Sequence, residues 1–385
     1  MKKLLITIFF LALAACSPGL TSHPSSPSPE SKQAKATLQM QVTPSQLSSA
    51  RVSTKTPALT STALPGPTPI LAVDNIVERM YDPGEWKKLY DKNTVWQIEL
   101  DPEGRTWISP GGEIGYFDGN RWVLFSPKDC LLPRLLDMAI APNGAVWVSG
   151  LHALSRYQHG RWETFPIPDV DATAFPHMTI DPFGAVWVSM SSCPTCGYFL
   201  KKFDGKSWSD LPLWTTKRRT ATVPTILFTP DGTLWAADDT GEIGRYDGKA
   251  WKIYSELELW SRNADWAPSI QIASDHKGNI FSAYTGQPSW IARIDTNGQV
   301  TKIPYPTNLY FYPFPLRMYV DRQDNLWVNA CLNRKEDGCL AYYKDNQWVS
   351  FIHMPFSSMK DIKELPDGTL LVATAQGLYQ FKSAN

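Results

Sequence analysis

Runs of three or four apolar residues recur along this chain, each just after a tight turn and each centred on one position. Trp107, Trp147, Trp187, Trp235, Phe281, Trp327 and Leu371 occupy that position, at steps of 40 to 48 residues. The runs are strand-length and no stretch of useful length carries helical periodicity. A repeat of that size built from short strands predicts a β-propeller, in which each unit is one sheet packed on its neighbours.

The unit over residues 225–254 reads most plainly. Thr225 to Thr229 is the inner strand and Pro230-Asp231-Gly232 a tight turn. Leu234-Trp235-Ala236 and Gly244-Arg245-Tyr246 are the second and third strands. Asp247-Gly248 is a hairpin turn, and Trp251 to Tyr254 the outer strand. The last unit runs to Phe381 and carries only three such strands. Tyr81-Asp82-Pro83-Gly84-Glu85-Trp86 copies the second turn and outer strand with nothing ahead of it. The expectation is an all-β, seven-bladed β-propeller closed by an N-terminal outer strand pairing with the C-terminal blade. The turn aspartates and glycines are expected to shape turns rather than hold a metal.

Aligning the inner strands gives a polar ring. Gln97, Asp137, His177, Thr225, Gln271, Arg317 and Asp361 share one position, and the next residue is apolar in every unit. Strand alternation turns the first set to the central channel and the second to the neighbouring blade. The ring should stand near the end of the channel opposite the short turns. That end carries the long segments 209–222, 255–267 and 305–316. Variable loops on a rigid scaffold commonly hold binding sites. Trp214, Trp260, Trp266, Trp290, Tyr310 and Tyr312 lie in or near these loops, with Phe175, Phe311, Phe314 and Phe356. Two readings stay open for them: stacking on a sugar or flat organic ligand, or capping the core beneath.

The chain of 385 residues divides in three. Residues 1–16 have a basic start, an apolar run from Leu4 to Ala15, then Cys16. The run is shorter than the ~20 residues a spanning helix needs, and reads as a secretory signal. Leu13-Ala14-Ala15-Cys16 resembles the bacterial lipobox, which implies lipidation at Cys16 and anchorage to a membrane. Residues 17–71 are rich in Ser, Thr, Pro and Ala, a composition expected of a disordered tether. Residues 72–385 are the expected propeller. Acidic and basic residues balance at 37 each, so no positive field points to nucleic acid.

In an exported chain the natural pairings are Cys193 with Cys196 and Cys331 with Cys339. A zinc site or a redox pair at the first cluster stays open, and Cys130 is left over, either free or forcing another pairing. The six histidines form no metal motif or triad, and no cofactor is expected.

The units resemble the two-component regulator propeller repeat. Thr179-Ile180-Asp181 with Gly184 and Trp187, and Arg245-Tyr246-Asp247-Gly248 with Trp251, carry the likeness over most of residues 81–382. The resemblance implies an extracellular sensor of a glycan or small ligand, with an envelope signalling protein as partner. The chain shows no transmembrane helix and no kinase or DNA-binding segment of its own. The fifth unit is similar to the streptogramin lyase family through Asn279-Ile280-Phe281 and Ile291-Ala292-Arg293-Ile294-Asp295. That likeness implies a lyase- or lactonase-like enzyme using a divalent metal at the channel mouth, though Tyr284 stands where the family has a metal-binding glutamate. The leading expectation is a monomeric, membrane-anchored ligand-binding or sensing propeller. An enzyme and a protein-binding scaffold are the alternatives.

Overall fold

The computed structural model describes residues 76–382, apart from 131, 170–176, 192–197, 215–224, 239–240, 261–269, 285–289, 305, 307, 312–316 and 333–338. Seven antiparallel sheets follow one another along the chain as the blades of a β-propeller. Their inner strands are Val95–Leu100, Asp137–Ile140, His177–Ile180, Thr225–Phe228, Ile270–Ser274, Met318–Val320 and Met359–Glu364. We number the blades 1 to 7 in that order. Each inner strand touches the next, and that of blade 7 touches that of blade 1, so the ring is closed.

One register repeats in all seven blades. The second-strand residue of the tryptophan series pairs inward with Glu99, Ala139, Thr179, Leu227, Ala273, Tyr319 or Lys363. Outward it pairs with Tyr116, Arg156, Lys202, Arg245, Arg293, Tyr342 or Gln380. Directly opposed residues share a face. Four blades thus set a cation against the ring: Arg156 on Trp147, Lys202 on Trp187, Arg245 on Trp235 and Arg293 on Phe281, at 5.1 to 5.9 Å from the ring centre.

At the short turns a buried aspartate does two jobs. In blades 1, 3 and 6, one oxygen of Asp101, Asp181 or Asp321 accepts two backbone N–H groups of the turn at 2.8–3.0 Å. The other oxygen accepts the indole N–H of Trp107, Trp187 or Trp327 at 2.8–3.0 Å. Phe281 offers no N–H, and there the side-chain amide of Asn279 donates to Asp275 instead, at 2.6 Å. Blades 2, 4 and 7 put Ala141, Thr229 and Leu365 at that position. Their turns are capped two residues later by Asn143, Asp231 and Asp367.

Outer-strand tryptophans sew neighbouring blades. The indoles of Trp122, Trp251 and Trp348 donate to carbonyls of the preceding blade's outer strand, Leu89, Pro212 and Pro304.

The ends of the domain meet as expected, with one addition. Strand β2, Trp86–Tyr90, pairs antiparallel with Gly377–Phe381 and completes blade 7. Trp86 is buried, its ring 4.6 Å from that of Phe381. Gly377 has φ of 121°, and a Cβ there would lie 1.9 Å from the Tyr90 carbonyl oxygen, so the docked strand requires glycine. The addition is β1, Ile76–Met80, which lies parallel to the outer strand of blade 6 as a fifth strand. Arg79 on β1 bonds Glu85 and lies over the rings of Phe351 in blade 6 and Phe381 in blade 7. The N-terminal segment therefore straps two blades. Strand alternation in Ile76–Met80 is too weak to announce this.

Candidate functional site

The polar ring forms at the end of the channel away from the short turns, where each inner strand begins. Two of its members have backbone partners. Asp137 accepts the N–H of Met138 at 2.9 Å and, across the blade boundary, that of Met178 at 2.8 Å. Asp361 repeats the pattern with Ile362 and Ile98, both at 2.9 Å. Each carboxylate thereby staples its inner strand to the next. Gln97 donates its side-chain amide to Asp137, which extends the network over blades 1 to 3.

His177 stands beside Asp137, its Nδ1 3.8 Å from Oδ2, too far for a hydrogen bond. Burial pushes the His177 pKa down; Asp137 opposes this and the nearby Arg317 guanidinium adds to it. The net effect favours the neutral imidazole. Arg317 has a buried Nε–H with no hydrogen-bond partner. Thr225 begins the inner strand of blade 4, and Gln271 is the second residue of that of blade 5.

One turn of alternation deeper in the channel, Lys363 meets Glu99 at 3.1 Å. Burial pushes the Glu99 carboxyl up against the pull of Lys363, and Asp361 adds to the rise. Burial would push Lys363 down, but Glu99 and Asp361 together hold it above the ordinary lysine range. This pair lay within reach of the sequence, since each residue is two positions past a ring member and shares its face.

The ring opens into a cavity of about 690 Å³ on the side of blades 1 and 2. Gln97, Asp137, His177 and Arg317 line it, together with Trp96, Glu113 and Arg134. Its size lies within the range of small-molecule sites. Trp96, Glu113 and Arg134 were not foreseen. Alternation alone puts Trp96 on the apolar face with Ile98. Instead the strand bulges between Val95 and Ile98, and Trp96 emerges 47% exposed.

The loop aromatics have structural neighbours where they are described. Trp214 lies against Gly244, where a Cβ would sit 2.2 Å from its ring, and its indole N–H donates to Glu242 at 3.0 Å. Trp260 is buried and donates to the Gly241 carbonyl; Trp290 donates to the Leu259 carbonyl. Phe356 is buried against Trp86 and Tyr379. Tyr310 lies on a short strand paired with Ala330–Leu332. Trp266, Tyr312, Phe175 and Phe314 lie outside the described residues, as do Cys16, Cys193 and Cys196. Cys331 and Cys339 form a disulfide. Cys130 is a free thiol, fully buried among Trp107, Met138 and Val148, and burial pushes its pKa up to about 12. Among the described residues no three His, Cys, Asp or Glu side chains gather to hold a metal ion.

No protein-family model and no curated protein matches the chain. Solved structures do. A streptogramin B lyase aligns with a TM-score of 0.58 at 15% identity, covering 78% of this chain and 98% of that one. A catalytically inactive virginiamycin B lyase from Staphylococcus aureus, solved with quinupristin, gives 0.60 at 15% identity, covering 78% and 99%. The extracellular domain of a hybrid two-component system protein from B. thetaiotaomicron gives 0.61 at 14% identity, covering 78% of this chain and 40% of that one. At such identities the likeness establishes the fold, a seven-bladed propeller shared by lyases and sensor domains.

Proposed function

We propose that the propeller binds a small extracytoplasmic ligand at the cavity where its polar ring opens, and that Cys16 anchors it by lipid to a bacterial membrane. The observation that carries the binding reading is the cavity itself. It brings Trp96, His177 and Arg317 to one opening on a closed ring. Similarity in fold to extracellular sensor domains supports a sensing role, with an envelope signalling protein as the partner that carries the signal onward. The enzyme and scaffold alternatives gain no specific support from the mouth.

A thermal-shift screen of glycans and small organic ligands on the full chain tests this, repeated with His177→Ala and Arg317→Ala. The expected result is a hit that stabilises the wild type and loses its effect in both variants. A best hit that stabilises all three equally would place binding elsewhere. For the anchor, Cys16→Ser should move the chain from the membrane fraction to the soluble one; unchanged membrane association removes that part of the proposal.

A further inference from the structure

The ring distributes its charges unevenly between used and unused groups. Asp137 has both oxygens engaged, with Met138, Met178 and Gln97 as donors. Asp361 likewise serves two backbone N–H groups. Glu99 is matched by Lys363. Arg317 is the exception. Its Nε–H is buried and unpartnered, and the residue lines the cavity beside a histidine held toward its neutral form. An unsatisfied buried donor is destabilising, and a guanidinium's planar fork matches a carboxylate with two parallel hydrogen bonds. On the wall of the same cavity, Trp96 presents a half-exposed indole, with Lys360 5.2 Å from its ring centre.

From this we infer that the ligand is a small organic acid, whose carboxylate is taken by Arg317 while an adjoining ring packs on Trp96. This rests on the binding site proposed above and adds the ligand's charge and shape. The neutral His177 has a place in it. A neutral imidazole offers one donor to a carboxylate without demanding a second counter-ion, and an arriving anion raises its pKa, so ligand and proton bind together. Two sources supply this chemistry: a sugar acid and an aromatic acid. Both offer a carboxylate beside a ring face that an indole can cover.

The test compares acids with their neutral counterparts on the full chain by calorimetry. The probe pairs are glucuronate against glucuronamide, and indole-3-acetate against indole-3-acetamide. For at least one pair the acid should bind about tenfold or more tightly than its amide. Arg317→Gln should bring that ratio close to one, and Arg317→Lys should keep part of it. Trp96→Ala should weaken acid and amide alike and leave the ratio. The His177 proton resonance, followed against pH, should titrate higher in Arg317→Gln than in wild type, and higher again in wild type with the acid bound.

If acid and amide bind equally and Trp96→Ala weakens both, the site stands and the acid inference falls. If Trp96→Ala and Arg317→Gln both leave binding unchanged, the cavity is not the site. No binding by any probe at millimolar concentration counts against the inference for both acid classes. Which pair shows the larger ratio decides between sugar acid and aromatic acid.

Discussion

Asp321, just past the inner strand of blade 6 at the turn end, and Asp137, at the start of the inner strand of blade 2 at the mouth, both accept backbone N–H groups. Asp321 closes on itself: the two backbone donors of its own turn, Asn325 and the Trp327 indole fill it, and it is 4% exposed. Asp137 binds its own strand and the next blade, and then borders an open cavity beside His177. The difference shows where a repeat protein can carry function. At the turns the buried aspartates of blades 1, 3 and 6 are satisfied within their own blades, while exposed groups such as Arg322 and Lys277 reach the next blade's turn. At the mouth satisfaction passes between blades, and at Arg317 a buried donor is left without a partner.

Removing residues 1–90 should break the comparison at its base, because neither end of the ring survives an open blade. It strips β1 and β2, exposes the Trp86 and Tyr90 partners in blade 7 and leaves a bare strand edge. Loss of a single cooperative thermal transition is expected. Deletion through Met80 alone takes only β1 and should lower the melting temperature less. A melting temperature unchanged by the longer deletion would show that closure lies elsewhere.

Next in size is Asp321→Ala, which leaves several buried donors, the Trp327 indole among them, without an acceptor. A loss of about 2–3 kcal/mol in denaturant unfolding is expected. His177→Ala, on a side chain 43% exposed at the mouth, should cost less than about 1 kcal/mol. If the two costs were equal, the division between a closed turn end and an open mouth would fail.

The smallest effect is a separation by pH. At the turn end burial alone would raise the carboxyls of Asp101 and Asp181. The indole donors, backbone N–H groups and the Arg105 or Lys202 cations outweigh it and hold both below the ordinary range. A depressed carboxyl contributes stability that is complete above its unfolded pKa, about 4. That contribution is lost as pH falls through the folded value. His177 is depressed by burial, so it binds its proton later in the folded than in the unfolded state. It therefore takes stability away as pH falls below about 6.5. Unfolding titrations should show a shallow loss starting near neutrality that His177→Ala removes, and a second below about pH 4 that it leaves. One undivided acid transition in both proteins would contradict the assignment.

Much of the architecture was legible because the repeat writes it seven times. The tryptophan position, the two turns and the missing outer strand of blade 7 each recur in, or are conspicuous against, the other units. The shared position of the polar ring was legible for the same reason; Glu99 and Lys363, two residues further on, were not singled out although the same alternation puts them on that face. Trp96, Glu113 and Arg134 were not. A bulge re-aimed Trp96, and the other two belong to connections between strands, where no period constrains direction. The fifth strand of blade 6 was equally silent, since Ile76–Met80 repeats nothing else in the chain.

The all-β class and the number of blades could be read from the chain alone, because each depends on local periodicity and turn chemistry that neighbours along the chain specify. The way the ring closes followed from one repeat lacking a strand that the other end carries. Only the tertiary structure decided which polar groups are used up and which are left. Asp137 and Arg317 occupy the same position in their blades. Both line the cavity, yet Asp137 is saturated by the strand beside it while the buried Nε–H of Arg317 stays unpaired.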